Sequence, residues 1–183
     1  MKGNAKHKND SKKTKSRQTH NGKGTNAIDL LMKDHETVQG LFAQFERARE
    51  DARKKGMLFE KIRDELQVHT KIEEEIFYPA VAEMGTDRAE DDIERCHDDH
   101  EVVDELLNEL QSLSPDDSDF DERMTDLIRA VRKHIELEQG EVFKEARSGL
   151  GEEKIEELGR DMEQLKRALK QETMGSEGSE ARE

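Results

Sequence analysis

The sequence predicts an all-α fold, in which four long helices form an up-down-up-down bundle and a shorter fifth helix follows. Apolar residues recur at helical spacing in five blocks, which Gly, Pro and Asp/Ser signals separate. Charged residues make up 42% of the chain and hydrophobic residues 31%, a balance typical of amphipathic helices around a narrow core. The length of 183 residues suits one domain with additional tails.

Residues 1–25 are predicted to form a disordered basic tail, because they are mostly Lys, Asn, Ser, Thr, Gly and His and have almost nothing to bury. Residues 1–26 contain eight Lys or Arg and one Asp, so the formal net charge of −14 combines +7 here with −21 on the remainder. We expect the acidic remainder to repel nucleic acid, which leaves at most weak nucleic-acid binding through the tail.

The first two helices are predicted at about residues 27–53 and 58–83, where apolar residues follow one another at spacings of three and four. Gly56 is expected to mark the end of the first helix. Pro79 is expected to kink or shorten the last turns of the second. Short connections between long amphipathic helices favour antiparallel neighbours, which is the basis of the up-down-up-down prediction.

The third helix is predicted to begin near Thr86 or Asp87 and to end toward Leu113, before a loop of Ser, Pro and Asp residues. The fourth helix is predicted at about residues 120–147. The shorter fifth helix covers about residues 152–171 and carries a narrow apolar stripe, so we expect it to dock on the bundle or on a partner chain.

Four segments are therefore expected. They are the tail at 1–25, the four-helix bundle at 26–148, the C-terminal helix at 149–173 and a flexible tail at 174–183. No apolar run approaches the roughly 18 residues needed to cross a bilayer, so no membrane span is predicted. The single cysteine excludes an intrachain disulfide and a Cys-based zinc or iron-sulfur site, and a cytoplasmic location is expected.

The two halves of the bundle repeat one pattern of histidine and glutamate. An offset of 65 positions pairs six residues, namely His35 with His100, His69 with His134 and Glu73 with Glu138. In each half, HxxxE spacing places an imidazole and a carboxylate on one helix face about one turn apart. One HxxxE would be explained best by a surface pair or a hydrogen-bonded inner histidine, but two copies in register with two further histidines favour a metal site.

All six residues lie among apolar inner positions, where an uncompensated carboxylate or imidazolium would cost several kcal/mol or shift its pKa toward neutrality. A bound cation would remove that cost. Imidazole suits Fe, Zn, Cu and Ni, and two carboxylates able to bridge favour a dinuclear site such as Fe–O–Fe over a single zinc ion.

The order H…HxxxE…H…HxxxE over about residues 27–147 resembles the hemerythrin HHE family. The resemblance implies a hemerythrin-type bundle with two non-haem iron ions joined by an oxo or hydroxo bridge. It implies that the four histidines are terminal ligands and that the two glutamates bridge the irons, which assigns His35, His69, His100, His134, Glu73 and Glu138 to the metal.

Near the ligands, one residue differs from the family pattern, and the pattern assigns no role to several others. Oxygen-carrying hemerythrins have a second histidine one turn before the helix-three ligand, whereas this chain has Cys96, so a more open coordination sphere is expected. His97 is predicted to face solvent and Cys96 to be a small buried thiol. Asp104 is better explained as an exposed charge than as a ligand. Tyr78 is expected to serve packing or an interface rather than the redox chemistry.

In the sequence, the offset that best aligns the two halves changes by one position after the ligands. Ile76-Phe77 corresponds best to Val142-Phe143, an offset of 66. We therefore expect one extra residue near Gly140, in the form of a π-bulge or a local irregularity of the fourth helix.

The predicted function is a non-haem di-iron protein that binds iron and O2 or nitric oxide for sensing, storage or stress protection. Two alternatives stay open. One is a di-iron enzyme that decomposes hydrogen peroxide or reduces nitric oxide, with catalysis by the metals themselves. The other is an acidic helical interaction module with no working metal site. The pattern leaves the oligomeric state open.

Overall fold

The computed structural model describes residues 26–48 and 51–180, with side chains up to residue 172, and this part of the chain is built from helices without strands. Two single π-helical turns, π1 and π2, interrupt the α-helices. The elements in the described ranges have these bounds: α1 Ala27–Ala48, α2 Ala52–Ile72, π1 Glu73–Phe77, α3 Tyr78–Ala82, α4 Asp87–Gln111, α5 Ser118–Leu137, π2 Glu138–Val142, α6 Phe143–Gly149 and α7 Gly151–Glu180.

The predicted all-α bundle with an additional C-terminal helix is confirmed. The segment α2-π1-α3 is one continuous helical stretch, and α5-π2-α6 is another. With α1 and α4 they supply the four long helices, which pack as two hairpins, α1 against α2 and α4 against α5. α7 lies against α1 and α2. None of the helices in the described ranges is long and apolar enough to span a membrane.

The boundary between the first two helices lies earlier than predicted. α2 already begins at Ala52, so the prediction that Gly56 ends the first helix is wrong. Asp51 caps α2, because its side chain accepts a hydrogen bond of 3.0 Å from the backbone N–H of Lys54. A Cβ on Gly56 would lie 3.2 Å from Pro115 Cγ, so this glycine allows a close approach of two chain segments.

The C-terminal helix is longer than predicted. α7 continues to Glu180, beyond the expected end at residues 171–173, so most of the segment predicted as a tail at 174–183 is helical. Adding one residue to an existing helix fixes fewer backbone angles per hydrogen bond than starting a new helix does. For this reason α7 can continue through Gly175 and Gly178. The predicted basic tail at 1–25 and the last three residues lie outside the described residues.

Two apolar clusters fill the bundle at different levels. The α7 core, at the level of the C-terminal helix, contains among others Ile28, Leu31, Phe77, Phe143 and Met162. The distal core, toward the connection between α1 and α2, contains among others Phe42, Ile62, Leu66, Leu107 and Met124. In each of the four long helices, the ligands predicted from the sequence lie near the boundary between the α7 core and the distal core. The polar site is therefore enclosed by apolar packing on both sides.

Candidate metal centre

The structure buries all six predicted ligands. Glu73 and Glu138 have no exposed surface, and the four histidines are between 2% and 6% exposed. Each histidine comes from a different long helix, and each glutamate is the first residue of a π-helical turn. Five of the six, His35, His69, Glu73, His134 and Glu138, offer ligand atoms that all lie within 4.8 Å of one another. Among the described residues, they form a buried cluster able to hold a cation.

The imidazole rings are arranged as two pairs. His35 and His69 have ring centroids 4.8 Å apart, and His100 and His134 have centroids 4.7 Å apart. Between the pairs the distances are longer, 6.4 Å from His35 to His134 and 6.5 Å from His69 to His134. The repeat thus places one histidine pair on each side of the cluster.

Glu73 connects the two histidine pairs. Its Oε1 atom lies 3.1 Å from His69 Nε2, and its Oε2 atom lies 3.3 Å from His100 Nε2. His100 is in this way joined to the cluster through Glu73. Glu138 Oε2 lies 3.1 Å from His35 Nε2, which in turn lies 3.1 Å from His69 Nε2. The Nε2 atoms of three histidines therefore converge on two carboxylates.

Many of these donor atoms lack a hydrogen bond. In the described part of the chain, both oxygens of Glu73 and Glu138, both ring nitrogens of His134 and Nε2 of His100 are buried without one. An unsatisfied buried polar group costs roughly 1–3 kcal/mol, and more if it is charged. Four imidazoles and two carboxylates form a set suited to iron, so the residues present fit a bound metal that satisfies these atoms.

The two buried glutamates of the metal-free cluster have opposite pKa shifts. Burial opposes ionisation of Glu73, but the charges of His69 and His100 outweigh it and hold the pKa of Glu73 well below its ordinary value. Burial and the Glu73 carboxylate raise the pKa of Glu138 well above its ordinary value. Burial and the charge of His69 lower the pKa of His35 to about 3. Without a cation, the two glutamates share a single negative charge, because two adjacent buried carboxylates repel each other.

The π-helical turns correct the predicted slip in the repeat. A π turn does include Gly140, as expected, but a matching turn begins at Glu73, so both halves carry the extra residue. The offset stays 65 beyond the ligands. Tyr78 therefore corresponds to Phe143, and both rings stack on a predicted ligand. Tyr78 lies 5.7 Å from His100 at an interplanar angle of 25°, and Phe143 lies 6.0 Å from His35 at 13°.

The residue after each glutamate contacts the histidine of the other half, a feature that the sequence reasoning missed. Glu74 Oε1 lies 3.0 Å from His100 Nδ1, and Gln139 Nε2 lies 3.1 Å from His35 Nδ1. With a metal on Nε2, the Nδ1–H group of the imidazole can donate to the Glu74 carboxylate, and to the Gln139 amide once its oxygen is turned toward Nδ1; such a partner fixes the orientation of the ring. The signal was present in the sequence, since Glu74 and Gln139 are themselves related by the 65-residue offset.

Aspartates that precede two of the histidines form a second matched pair. Asp34 is buried, bonds to Lys166 of α7 and lies 3.8 Å from His69 Nδ1. Asp99 is buried as well, and its Oδ1 atom accepts a hydrogen bond of 2.6 Å from Lys133. The C-terminal helix therefore reaches the surroundings of the first half of the site.

The other residues near the ligands differ in burial. Cys96 is fully buried, and burial raises the pKa of its thiol far above the ordinary value, so the thiol stays protonated. Asp104 is exposed. His97 is 47% exposed, as predicted, but its Nδ1 atom lies 3.5 Å from Glu74 Oε1. Tyr78 is buried and packs on His100, which agrees with the predicted packing role.

A small cavity adjoins the cluster on the side of the distal core. It has a volume of about 10 Å³, which is room for about one water-sized molecule. The four histidines contribute to its wall, and the rest is mostly aliphatic, with Val38, Leu66, Val103, Val131 and Ile135. A molecule in this cavity would touch imidazoles on one side and apolar groups on the other.

Comparison with known proteins matches residues 26–146 to the family model described as the hemerythrin HHE cation binding domain. A DNA nickase of Nostoc sp. (strain PCC 7120 / SAG 25.82 / UTEX 2576) is 27% identical over 146 residues, 80% of this chain and 40% of the Nostoc protein. The uncharacterized protein Rv2633c of Mycobacterium tuberculosis (strain ATCC 25618 / H37Rv) is 31% identical over 88 residues, 48% of this chain and 52% of that protein. The chain thus spans about half or less of these relatives.

A solved structure has the same fold. It is the crystal structure of a hemerythrin HHE cation binding domain-containing protein from Mycobacterium kansasii, a homolog of Rv2633c. The TM-score is 0.72 at 21% sequence identity, and the likeness covers 81% of this chain and 90% of the other. At this identity the comparison supports the shared helical architecture.

Proposed function

The chain belongs to the hemerythrin HHE cation-binding family, and on that basis we propose that it holds a non-haem di-iron centre that binds O2 or nitric oxide. The proposed ligands are His35, His69, His100, His134, Glu73 and Glu138. Two iron ions joined by an oxo or hydroxo bridge would supply a redox-active centre. The biological role that fits such a centre is sensing, storage or stress protection, and the proposed location is the cytoplasm.

The observation that carries the proposal is the position of Glu73 between two histidine pairs. Its two oxygens face different pairs, with His69 at 3.1 Å and His100 at 3.3 Å. Because each oxygen of this carboxylate faces a different histidine pair, Glu73 is placed to bridge two cations. A single cation would need its donors arranged around one point. The second buried carboxyl group, Glu138, lies 3.1 Å from His35 and would add a further negative charge once a bound cation favours its ionised form.

The size of the cavity supports a diatomic ligand. About 10 Å³ of open space beside the histidines is room for about one water-sized molecule, so a small ligand fits this site better than an organic substrate does. Five aliphatic side chains make up much of the wall, beside the polar residues Asp34, Glu65 and Thr70. This wall keeps bulk water away from the site, which strengthens the attraction between the buried donors and a cation.

Peroxide decomposition is the second candidate, and Cys96 is the observation that favours it. Cys96 stands in the place where oxygen-carrying hemerythrins have a histidine, and it is not part of the buried group of potential ligands in the described chain. With fewer protein ligands, more coordination positions stay open to a small molecule. DNA nicking is not carried over from the Nostoc relative, because the match covers 40% of that protein.

Gas binding and peroxide turnover distinguish the two candidates. Iron-loaded, reduced protein is mixed with O2 or nitric oxide, and the visible absorption spectrum is followed through gas removal and readdition. We expect a reversible spectral change and only slow loss of added hydrogen peroxide. Rapid peroxide loss over many turnovers, without a reversible adduct, would favour the enzyme instead. Cys96→His serves as the matched variant, because it restores the ligand that oxygen carriers have and should strengthen reversible binding.

A further inference from the structure

A second group of potential metal ligands lies at the surface beside the buried centre. Glu74, His97 and His100 offer one ligand atom each, and these atoms lie within 4.8 Å of one another. Glu74 Oε1 is 3.0 Å from His100 Nδ1 and 3.5 Å from His97 Nδ1. Two imidazoles and one carboxylate are a common ligand set for a divalent iron ion with open positions.

These three residues extend from solvent to the centre. His97 and Glu74 have 47% and 38% of their side chains exposed, whereas His100 is 5% exposed. The two ring nitrogens of His100 face opposite ways, since Nδ1 lies 3.0 Å from Glu74 and Nε2 lies 3.3 Å from Glu73. The next ligand toward the interior, Glu73, adjoins Glu74 in the chain. The path from water to the buried carboxylates is therefore lined with metal ligands.

We propose that Glu74, His97 and the Nδ1 atom of His100 form a mononuclear site, the rim site, which takes a divalent iron ion from solvent and passes it to the buried centre. The rim site stands on its own geometry, and only the transfer step rests on the proposed di-iron function. No covalent bond of the protein and no oxidation state changes in the transfer. The cation leaves the Glu74 oxygen, His97 and the Nδ1 atom of His100 and binds donors on the inner side in their place.

His100 makes the two sites mutually exclusive. A neutral imidazole has one free lone pair, so a cation on Nδ1 leaves a proton on Nε2, facing Glu73. Once a cation occupies Nε2, Nδ1 carries the proton and donates to Glu74, which removes one rim ligand. Filling the centre therefore releases the rim site, and the saturated chain holds two ions instead of three.

The other half of the repeat lacks such a site. The positions that correspond to Glu74, His97 and His100 at the 65-residue offset are Gln139, Met32 and His35. An amide and a thioether bind divalent iron far more weakly than a carboxylate and an imidazole do. Met32 is 37% exposed, so it supplies a matched control at a comparable surface position.

The kinetic test compares iron uptake by variants of the two halves. Metal-free protein is mixed anaerobically with a slight excess of ferrous iron, and bound iron is measured against time after rapid gel filtration. We expect His97→Ala and Glu74→Gln to slow uptake at least tenfold, with the final count unchanged in His97→Ala, and Met32→Ala to behave as the original. Glu74→Gln keeps a hydrogen-bond acceptor for His100. Uptake at the original rate in both rim variants would overturn the proposal.

A second test looks at the rim site alone. In a variant with His69→Gln and His134→Gln, each histidine pair of the centre loses a member, while the three rim residues stay. With Co2+ as a spectroscopic probe, we expect about one ion per chain, which His97→Ala then removes. An ion that survives His97→Ala, or no ion at all, would overturn the rim site. Absence of iron from the original protein would instead overturn the di-iron function, so the two failures are distinguishable.

Discussion

The two halves of the repeat supply the same ligands but surround them differently. Each half gives two histidines, one glutamate at the start of a π turn and one aromatic ring stacked on a histidine. The neighbours differ in charge, since Glu74 faces His100 where Gln139 faces His35. The matched residues form the proposed ligand set, and the unmatched neighbours give the two sides of that set different charges.

The largest expected difference between the halves concerns the two buried glutamates. In metal-free protein, Glu73→Gln leaves His69 and His100 without the carboxylate that they face, which we expect to cost about 3–5 kcal/mol of unfolding free energy. Glu138 is already held in its neutral form by burial and by Glu73, so Glu138→Gln should change stability by about 1 kcal/mol or less. Urea unfolding of the chelated proteins measures both. Equal losses would contradict the electrostatic asymmetry.

The two orienting side chains test the comparison in the metal-loaded protein. Loss of a partner that orients a ligand typically lowers metal affinity by about 10–100-fold, so Glu74→Ala and Gln139→Ala should both fall in that range. The glutamate variant should lose more, because its partner bond is charge-assisted. Competition with a chelator measures the affinities. A larger loss in the Gln139 variant would show that the amide has the stronger orienting role.

The two lysine-aspartate pairs differ in how exposed the lysine is. The Lys166 side chain is 18% exposed and bonds to buried Asp34, so Lys166→Ala should destabilise the fold by about 1–3 kcal/mol by leaving a buried carboxylate unpaired. Lys133 is 73% exposed and easily replaced by water beside Asp99, so Lys133→Ala should change stability by about 0–1 kcal/mol. Thermal unfolding of the two variants provides the check. The reverse order would mean that α7 contributes little to the site.

The smallest expected effect is at the aromatic pair. Tyr78→Phe makes the ring identical to its counterpart Phe143 and removes a buried hydroxyl that adjoins Cys96 and Glu138. We expect stability to change by about 1 kcal/mol or less, because a neutral hydrogen bond contributes about that much net. Calorimetric unfolding gives the value. A clear loss of stability would identify a role for the hydroxyl in the fold.

The sequence predicted the helices and the six clustered residues because both depend on periodicity. Apolar spacing defines the inner face of a helix, and the 65-residue offset relates His35 to His100 without any knowledge of packing. The predicted end of the first helix is wrong because a glycine is a common helix stop signal, whereas the packing of Gly56 against Pro115 depends on the folded bundle. The tail predicted beyond residue 173 rested on composition, which underestimated how far α7 continues.

The surroundings of the site could not be predicted in the same way. A π turn shifts the register by one residue without a distinctive sequence, so the turn at Glu73 was missed and its counterpart was mistaken for a slip. The contact of Lys166 with Asp34 joins segments 132 residues apart, and nothing in the local pattern indicates it. Glu74 was visible as a repeat position, but its orientation toward His100 depends on how the two hairpins pack.

The most direct test of the di-iron centre is the iron content of protein produced with ample iron. The original chain is compared with the double variant His69→Ala and His134→Ala, which removes one member of each histidine pair, and with Met32→Ala as a surface control. We predict about two irons per chain in the original and the control, and a clear loss in the double variant. No bound iron, or iron unaffected by the double substitution, would contradict the assignment.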